Sequence, residues 1–211
     1  EVVRPGRALQ ACLHRGASTV EDRPQLDSLA ASGIAGFDSV VHGGLAREHM
    51  YLVEGTPGSG KTTLALQFLL EGVRSGERCL YITLSETERE LRATALSHSL
   101  DLNGLTILEV APLEADPEQQ QGIIHAAEVE LDHTVGLIID KVKALRPDRL
   151  VIDALTELRL LALDSLSYRR QLLTLKRFFA DQQCTVLALD DLTDNARSEE
   201  RRVGKECRSR W

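Results

Sequence analysis

The chain has 211 residues, 43% hydrophobic and 27% charged, with a formal net charge of −7 at pH 7; that size and apolar content suit one domain with a substantial core. Residues 197–211 hold six basic against three acidic side chains, so the rest is more acidic still, which argues against sequence-independent binding to a nucleic-acid backbone. The four cysteines, at 12, 79, 184 and 207, form no C-x-x-C pair, no apolar run approaches a membrane span, and the start lacks a signal-peptide pattern, so a disulfide framework, a zinc site and a membrane protein are set aside for a cytoplasmic one.

Residues 1–25 mix Arg, Gly, Pro and short apolar pieces and read as a lead-in with no determined element. The folded domain is expected over 26–196. Its first feature, Gly33-Ile34-Ala35-Gly36-Phe37-Asp38-Ser39-Val40-Val41-His42-Gly43-Gly44-Leu45, is a small amphipathic turn closed by glycines. Met50 to Val53 then forms a short apolar run that predicts a buried strand, and Thr63 to Arg74 carries Leu66, Leu69, Leu70 and Val73 at helical spacing.

Between that strand and that helix stands Gly55-Thr56-Pro57-Gly58-Ser59-Gly60-Lys61-Thr62, which matches G-x-x-x-x-G-K-[ST] at every fixed position. Glycines let the backbone wrap a phosphate without a Cβ in the way, and successive N–H groups converge at the positive end of the following helix. Lys61 would reach the outer phosphates as a point charge, Thr62 would ligate Mg²⁺, and Thr63 would touch the inner phosphates. This stretch predicts a nucleotide site.

Ser75-Gly76-Glu77 stops the helix, and Cys79 to Leu84 reads as a second buried strand. At its carboxyl end, the edge where open α/β sheets bind ligands, come Ser85 and Glu86. A helix is expected over Thr87 to Ser99, where Glu86 and Glu88 also suit the amino end, and a third strand over Leu105 to Val110. Residues 111–126 look loop-like, and Thr134 reads as the cap of a helix running through Val135, Ile138, Ile139, Val142 and Leu145. Arg149 to Asp153 is an apolar strand closing on a carboxylate, which following the phosphate loop is the Walker B pattern: Asp153 would hold the magnesium shell, through its water or through Thr62. Tyr168, Leu172, Leu175 and Phe179 mark a helix packed on the sheet, with Arg169, Arg170, Lys176 and Arg177 on solvated faces. Thr185 to Asp191 predicts the last strand, with Asp190 a lesser site candidate. Residues 197–211 break in composition from the body and read as a non-native or disordered tail without a site.

The glycine-bounded stretch from Gly33 to Leu45, followed by the phosphate loop, resembles the RecA-like ATPases and within them the KaiC family, whose corresponding motif reads approximately G-I-x-G-L-D-x-x-L-x-G-G-L. Phe37, Val41 and His42 depart from it in a packing segment. The resemblance spans about residues 30 to 195. It implies an α/β fold of the three-layer P-loop NTPase, RecA-like type, with a mostly parallel central sheet and helices on both faces. It further implies ATP and Mg²⁺ as ligands, a homo-oligomer in a hexameric ring, a regulatory role with a signalling partner, and autokinase activity in some members. Family domains carry two adjacent glutamates where this chain has Ser85 and Glu86, so hydrolysis leans on Glu86 or is slow, because a serine is no equivalent base. No second phosphate loop appears, and a fragment truncated at both ends is expected. A RecA-like DNA recombinase and a nucleotide-dependent interaction module with little hydrolysis remain as alternatives.

Overall fold

The strongest apolar runs become the inner strands of one parallel sheet. The structure, a computed structural model, describes residues 29–110 and 123–192, with the side chains of 123–129 excepted. The expectations for residues 1–25, for the loop at 111–122 and for the tail at 197–211 lie outside the described residues.

The elements in chain order are β1 (Leu29–Ala30), α1 (Ala35–Val40), β2 (Leu45–Ala46), β3 (Met50–Gly55), α2 (Lys61–Arg74), β4 (Cys79–Thr83), α3 (Glu88–Ser97), β5 (Thr106–Glu109), α4 (Ile123–Leu145), β6 (Arg149–Asp153), α5 (Leu155–Leu161), α6 (Ser165–Asp181) and β7 (Thr185–Asp191). The five-stranded sheet has the order β3-β7-β6-β4-β5, and all its pairs are parallel. The last strand among the described residues therefore enters between β3, which leads into the loop from Gly55 to Gly60, and β6, which ends on Asp153. β1 and β2 form a separate antiparallel pair.

Side chains alternate across a strand, so each inner strand serves two cores. Leu80, Ile82, Leu150, Ile152, Val186 and Ala188 face Leu131, Val135, Ile138 and Val142 of α4, Leu155 and Leu158 of α5, and Leu175 and Phe179 of α6. The opposite parity, Cys79, Tyr81, Val151, Leu187 and Leu189, faces Leu66, Phe68 and Leu69 of α2 and Leu91 and Ala95 of α3. Helices thus cover both faces, as expected for a buried parallel sheet. Among the described residues no helix is long and apolar enough to cross a membrane.

Two boundaries depart from the sequence reading. α4 begins at Ile123, so the expected loop over 123–126 is helix, and Thr134 is a buried mid-helix residue and no cap. The apolar period extends upstream through Leu131, and burying that face on the sheet overrides the capping preference of one threonine. α2 begins at Lys61, two residues before the predicted start. α3 runs from Glu88 to Ser97, inside the expected span, and Thr87, read from the sequence as its first residue, is its N-cap: the Thr87 hydroxyl accepts from Glu90 N, and the Glu90 carboxylate accepts from Thr87 N.

The end of the sheet away from the loop at Gly55 to Gly60 is tied by a buried cation. Arg149, 1% exposed, donates to Ala31 O at 2.6 Å, to Phe68 O at 2.8 Å and to both carboxylate oxygens of Glu77. Its guanidinium also lies 4.7 Å from the Phe68 ring centroid. A buried charge persists only when its donors are satisfied in this way. Here they join the segment after β1, helix α2 and the start of β6.

Candidate functional site

The loop from Gly55 to Gly60 joins the carboxyl end of β3 to the amino end of α2. Gly60, the N-cap, has φ 89° with no side-chain cap, a left-handed conformation that glycine adopts without a steric penalty. Ser59 N donates to Thr56 O at 3.1 Å and Leu64 N to Gly60 O at 2.9 Å. Among the described residues, the N–H groups of Lys61, Thr62 and Thr63 have no protein acceptor. Unsatisfied donors at a helix amino end, on a loop whose residues 56–60 are exposed, form a cradle for an anion.

Strand parity decides what faces that cradle. Lys61 Nζ donates to Gly55 O at 3.0 Å and Thr56 O at 3.1 Å, and lies 2.8 Å from Asp191 Oδ1. On β6, Asp153 shares the parity of Val151 and so points to the α2 side, where its Oδ2 accepts from the Thr62 hydroxyl at 3.1 Å. The same oxygen accepts from the Tyr81 hydroxyl, on the neighbouring strand β4. A threonine hydroxyl beside a carboxylate is the hard-oxygen donor set that Mg²⁺ takes, so Thr62 and Asp153 fit that ion.

One register step beyond Tyr81 on the same face, Thr83 pairs with Asp153 across the β4–β6 ladder. Its hydroxyl accepts from Glu86 N at 3.0 Å and donates to Glu86 O at 2.7 Å, which fixes the turn after β4. Ser85 and Glu86 are exposed there. Partial burial raises the Glu86 carboxyl above its ordinary value, and the charges of Asp153 and Glu90 raise it further. Burial also pushes the Tyr81 phenol well above its usual range, followed by the adjacent Asp153 charge and hydrogen bond, so Tyr81 stays a neutral donor.

The structure brings Lys61, Thr62, Asp153 and the Glu86 turn to one end of the sheet. Asp190, a lesser candidate from the sequence, is not among them. It follows Val186 and Ala188 toward α5, where it is 2% exposed and accepts from the Thr156 hydroxyl at 2.7 Å and from Arg159. Asp191 follows Leu187 and Leu189 toward α2 and meets Lys61. Sequence reasoning passed over Asp191, Tyr81, Thr156 and Arg159. The signal for Asp191 was available in the two-residue period of β7, since Leu187 and Leu189 mark one face and Asp191 continues it.

Comparison with known proteins bears on the family. The family model described as the KaiC-type ATPase matches residues 30–206. A UPF0273 protein of Pyrococcus horikoshii is 25% identical over 170 residues, covering 77% of this chain and 68% of its own length. The circadian clock oscillator protein KaiC of Thermostichus vulcanus is 29% identical over 150 residues, covering 68% of this chain and 28% of that protein. The KaiC of Acaryochloris marina is 34% identical over 130 residues, 58% of this chain and 24% of its own. The chain therefore spans about a quarter of the clock proteins it matches.

Proposed function

This chain belongs to the KaiC family of ATPases, and on that premise we propose that it binds ATP with Mg²⁺ and transfers the γ-phosphoryl group to water. The observation that carries this reading is the 3.1 Å hydrogen bond from Thr62 to Asp153 at the mouth of an anion cradle that also holds the Lys61 ammonium. Residues 26–196 are the part of the ATPase domain that carries these groups.

In this reading, the free N–H groups at Lys61, Thr62 and Thr63 hold phosphate oxygens, and Lys61 draws charge from the transferred group. The Thr62 hydroxyl and Asp153 would hold the magnesium shell, and the chemistry that ion would supply is neutralisation of charge on the phosphates. Glu86, its turn fixed by Thr83, orients the attacking water and takes its proton. A carboxyl raised toward neutrality is a better base for that proton than an ordinary one. The reaction depends on positioning and on charge placed in advance.

The regulatory role extends what the clock relatives' names say; the homo-oligomeric ring, the protein partner and the cytoplasmic setting extend the family resemblance and the sequence reading. Ser85, exposed beside Glu86, supports a second reading in which nucleotide is bound and turned over slowly as a signal. The test is Lys61→Ala with nucleotide binding and ATP turnover measured on the same preparation. Loss of both is expected, and undiminished turnover would sink the reading; wild-type binding without turnover would select the second.

A further inference from the structure

An ammonium has three donors and no acceptor, and three oxygens already lie within reach of Lys61: Gly55 O at 3.0 Å, Thr56 O at 3.1 Å and Asp191 Oδ1 at 2.8 Å. We propose that Asp191 is the counter-ion that a nucleotide's phosphate displaces from Lys61, and that it sets how tightly the site holds nucleotide and how strongly it distinguishes diphosphate from triphosphate. This inference rests on the reading of Gly55 to Thr62 as a phosphate loop.

Two of the three acceptors are backbone carbonyls of the loop itself, fixed by the strand before it. Only Asp191 presents its oxygen on a rotatable side chain, and that side chain is 37% exposed against 10% for Lys61. A phosphate oxygen that takes a donor from Lys61 therefore takes the one held by Asp191.

The backbone of Asp191 is held in place during that exchange. Its N–H donates to the Thr156 hydroxyl at 3.1 Å and to Asp190 Oδ1 at 3.0 Å. Asp190 is itself buried and bound by Thr156 and Arg159, and Leu192 N donates to Gly55 O at 3.1 Å. The displaced carboxylate can turn but cannot leave, so it stays beside the incoming anion. Nucleotide binding then carries two electrostatic costs, a broken ion pair and a like-charge contact, and the second grows with the charge of the outermost phosphate. Thr156 and Arg159 belong to α5, so that helix fixes where the carboxylate stands.

The test is equilibrium binding of fluorescent N-methylanthraniloyl ADP and ATP, with Mg²⁺, to the full 211-residue chain and to its Asp191→Asn and Asp191→Ala variants. Both variants are expected to bind about three- to tenfold more tightly at low salt. The gain is expected to be larger for the triphosphate and to shrink as salt screens the charges. A residue with only a structural role would weaken binding on substitution, so tighter binding is the discriminating sign. Wild-type binding with variants that bind equally or less tightly overturns this inference alone. A wild-type chain that binds neither nucleotide overturns the phosphate-loop reading and this inference together.

Discussion

The Tyr81 hydroxyl, on a side chain with no exposed surface in the second strand of the sheet, donates to Oδ2 of Asp153 at the end of the neighbouring strand. The Thr62 hydroxyl donates to the same oxygen. The rotamer of Asp153 is therefore set from the core side by a phenol and from the loop side by a threonine. Its other oxygen takes no part in either bond.

Tyr81→Phe keeps the buried volume and removes one donor to a carboxylate. The loss of a hydrogen bond to a charged group costs about 1.5–3 kcal/mol, so the unfolding midpoint should fall modestly. If Tyr81 positions Asp153, the Mg²⁺ concentration giving half-maximal nucleotide binding should also rise several-fold. A magnesium titration with fluorescent nucleotide measures this, and an unchanged midpoint would restrict Tyr81 to packing.

Glu86→Gln should leave nucleotide binding within about twofold of wild type and lower turnover by about 100-fold, the scale of a general base. The pH dependence carries the sign. A base must be ionised, and burial with the Asp153 charge raises the Glu86 carboxyl. Turnover should therefore fall, on acidification, at a pH above the ordinary glutamate value of about 4.3, and that limb should be missing from the variant. Equal turnover in the variant would leave Glu86 only its place before α3.

Arg149→Met should cost about 3–5 kcal/mol, because it leaves Glu77 charged, nearly buried and without its main partner. Adding Glu77→Gln should recover part of that loss, measured by denaturant unfolding; a double variant no better than the single would show that the carbonyls of Ala31 and Phe68 carry the effect. Burial pushes the Glu77 carboxyl up, but hydrogen bonds and charge from Arg149 and Arg47 outweigh this and hold it below the ordinary value. A depressed carboxyl stabilises the fold above the ordinary glutamate value and loses that contribution as pH falls through the lower, folded one. Wild type should therefore lose stability more steeply below about pH 4.3 than Arg149→Met does.

Gly72→Ala tests how closely α2 approaches the sheet. A Cβ there would sit 2.6 Å from Cys79 Sγ and 2.7 Å from Arg149 Cδ. The helix or the arginine must shift, at a cost of about 1–3 kcal/mol. Alanine is otherwise the better helix former, so a variant as stable as wild type would show that Arg149 moves freely.

What the sequence determined by itself is what lies close along the chain. The strand, loop and helix around Gly55 to Thr62 are legible because the whole motif falls within eight consecutive positions. Asp153 is legible because an apolar strand ends on it, and Glu86 because it follows the second strand. The family was legible from the resemblance of Gly33 to Leu45, ahead of that loop, to the family's own motif. Tertiary structure alone decided which strands are neighbours. β7 enters between β3 and β6, which sets Asp191 against Lys61 and turns Asp190 away toward Arg159. Pairing of β4 with β6 brings Tyr81 to Asp153, and packing of α2 across the sheet gives Arg149 its acceptors at Ala31 and Phe68. The partners in these contacts stand from 31 to 130 positions apart in the sequence. No local preference encodes such pairs, because their energy arises only when the two faces of the sheet are buried together.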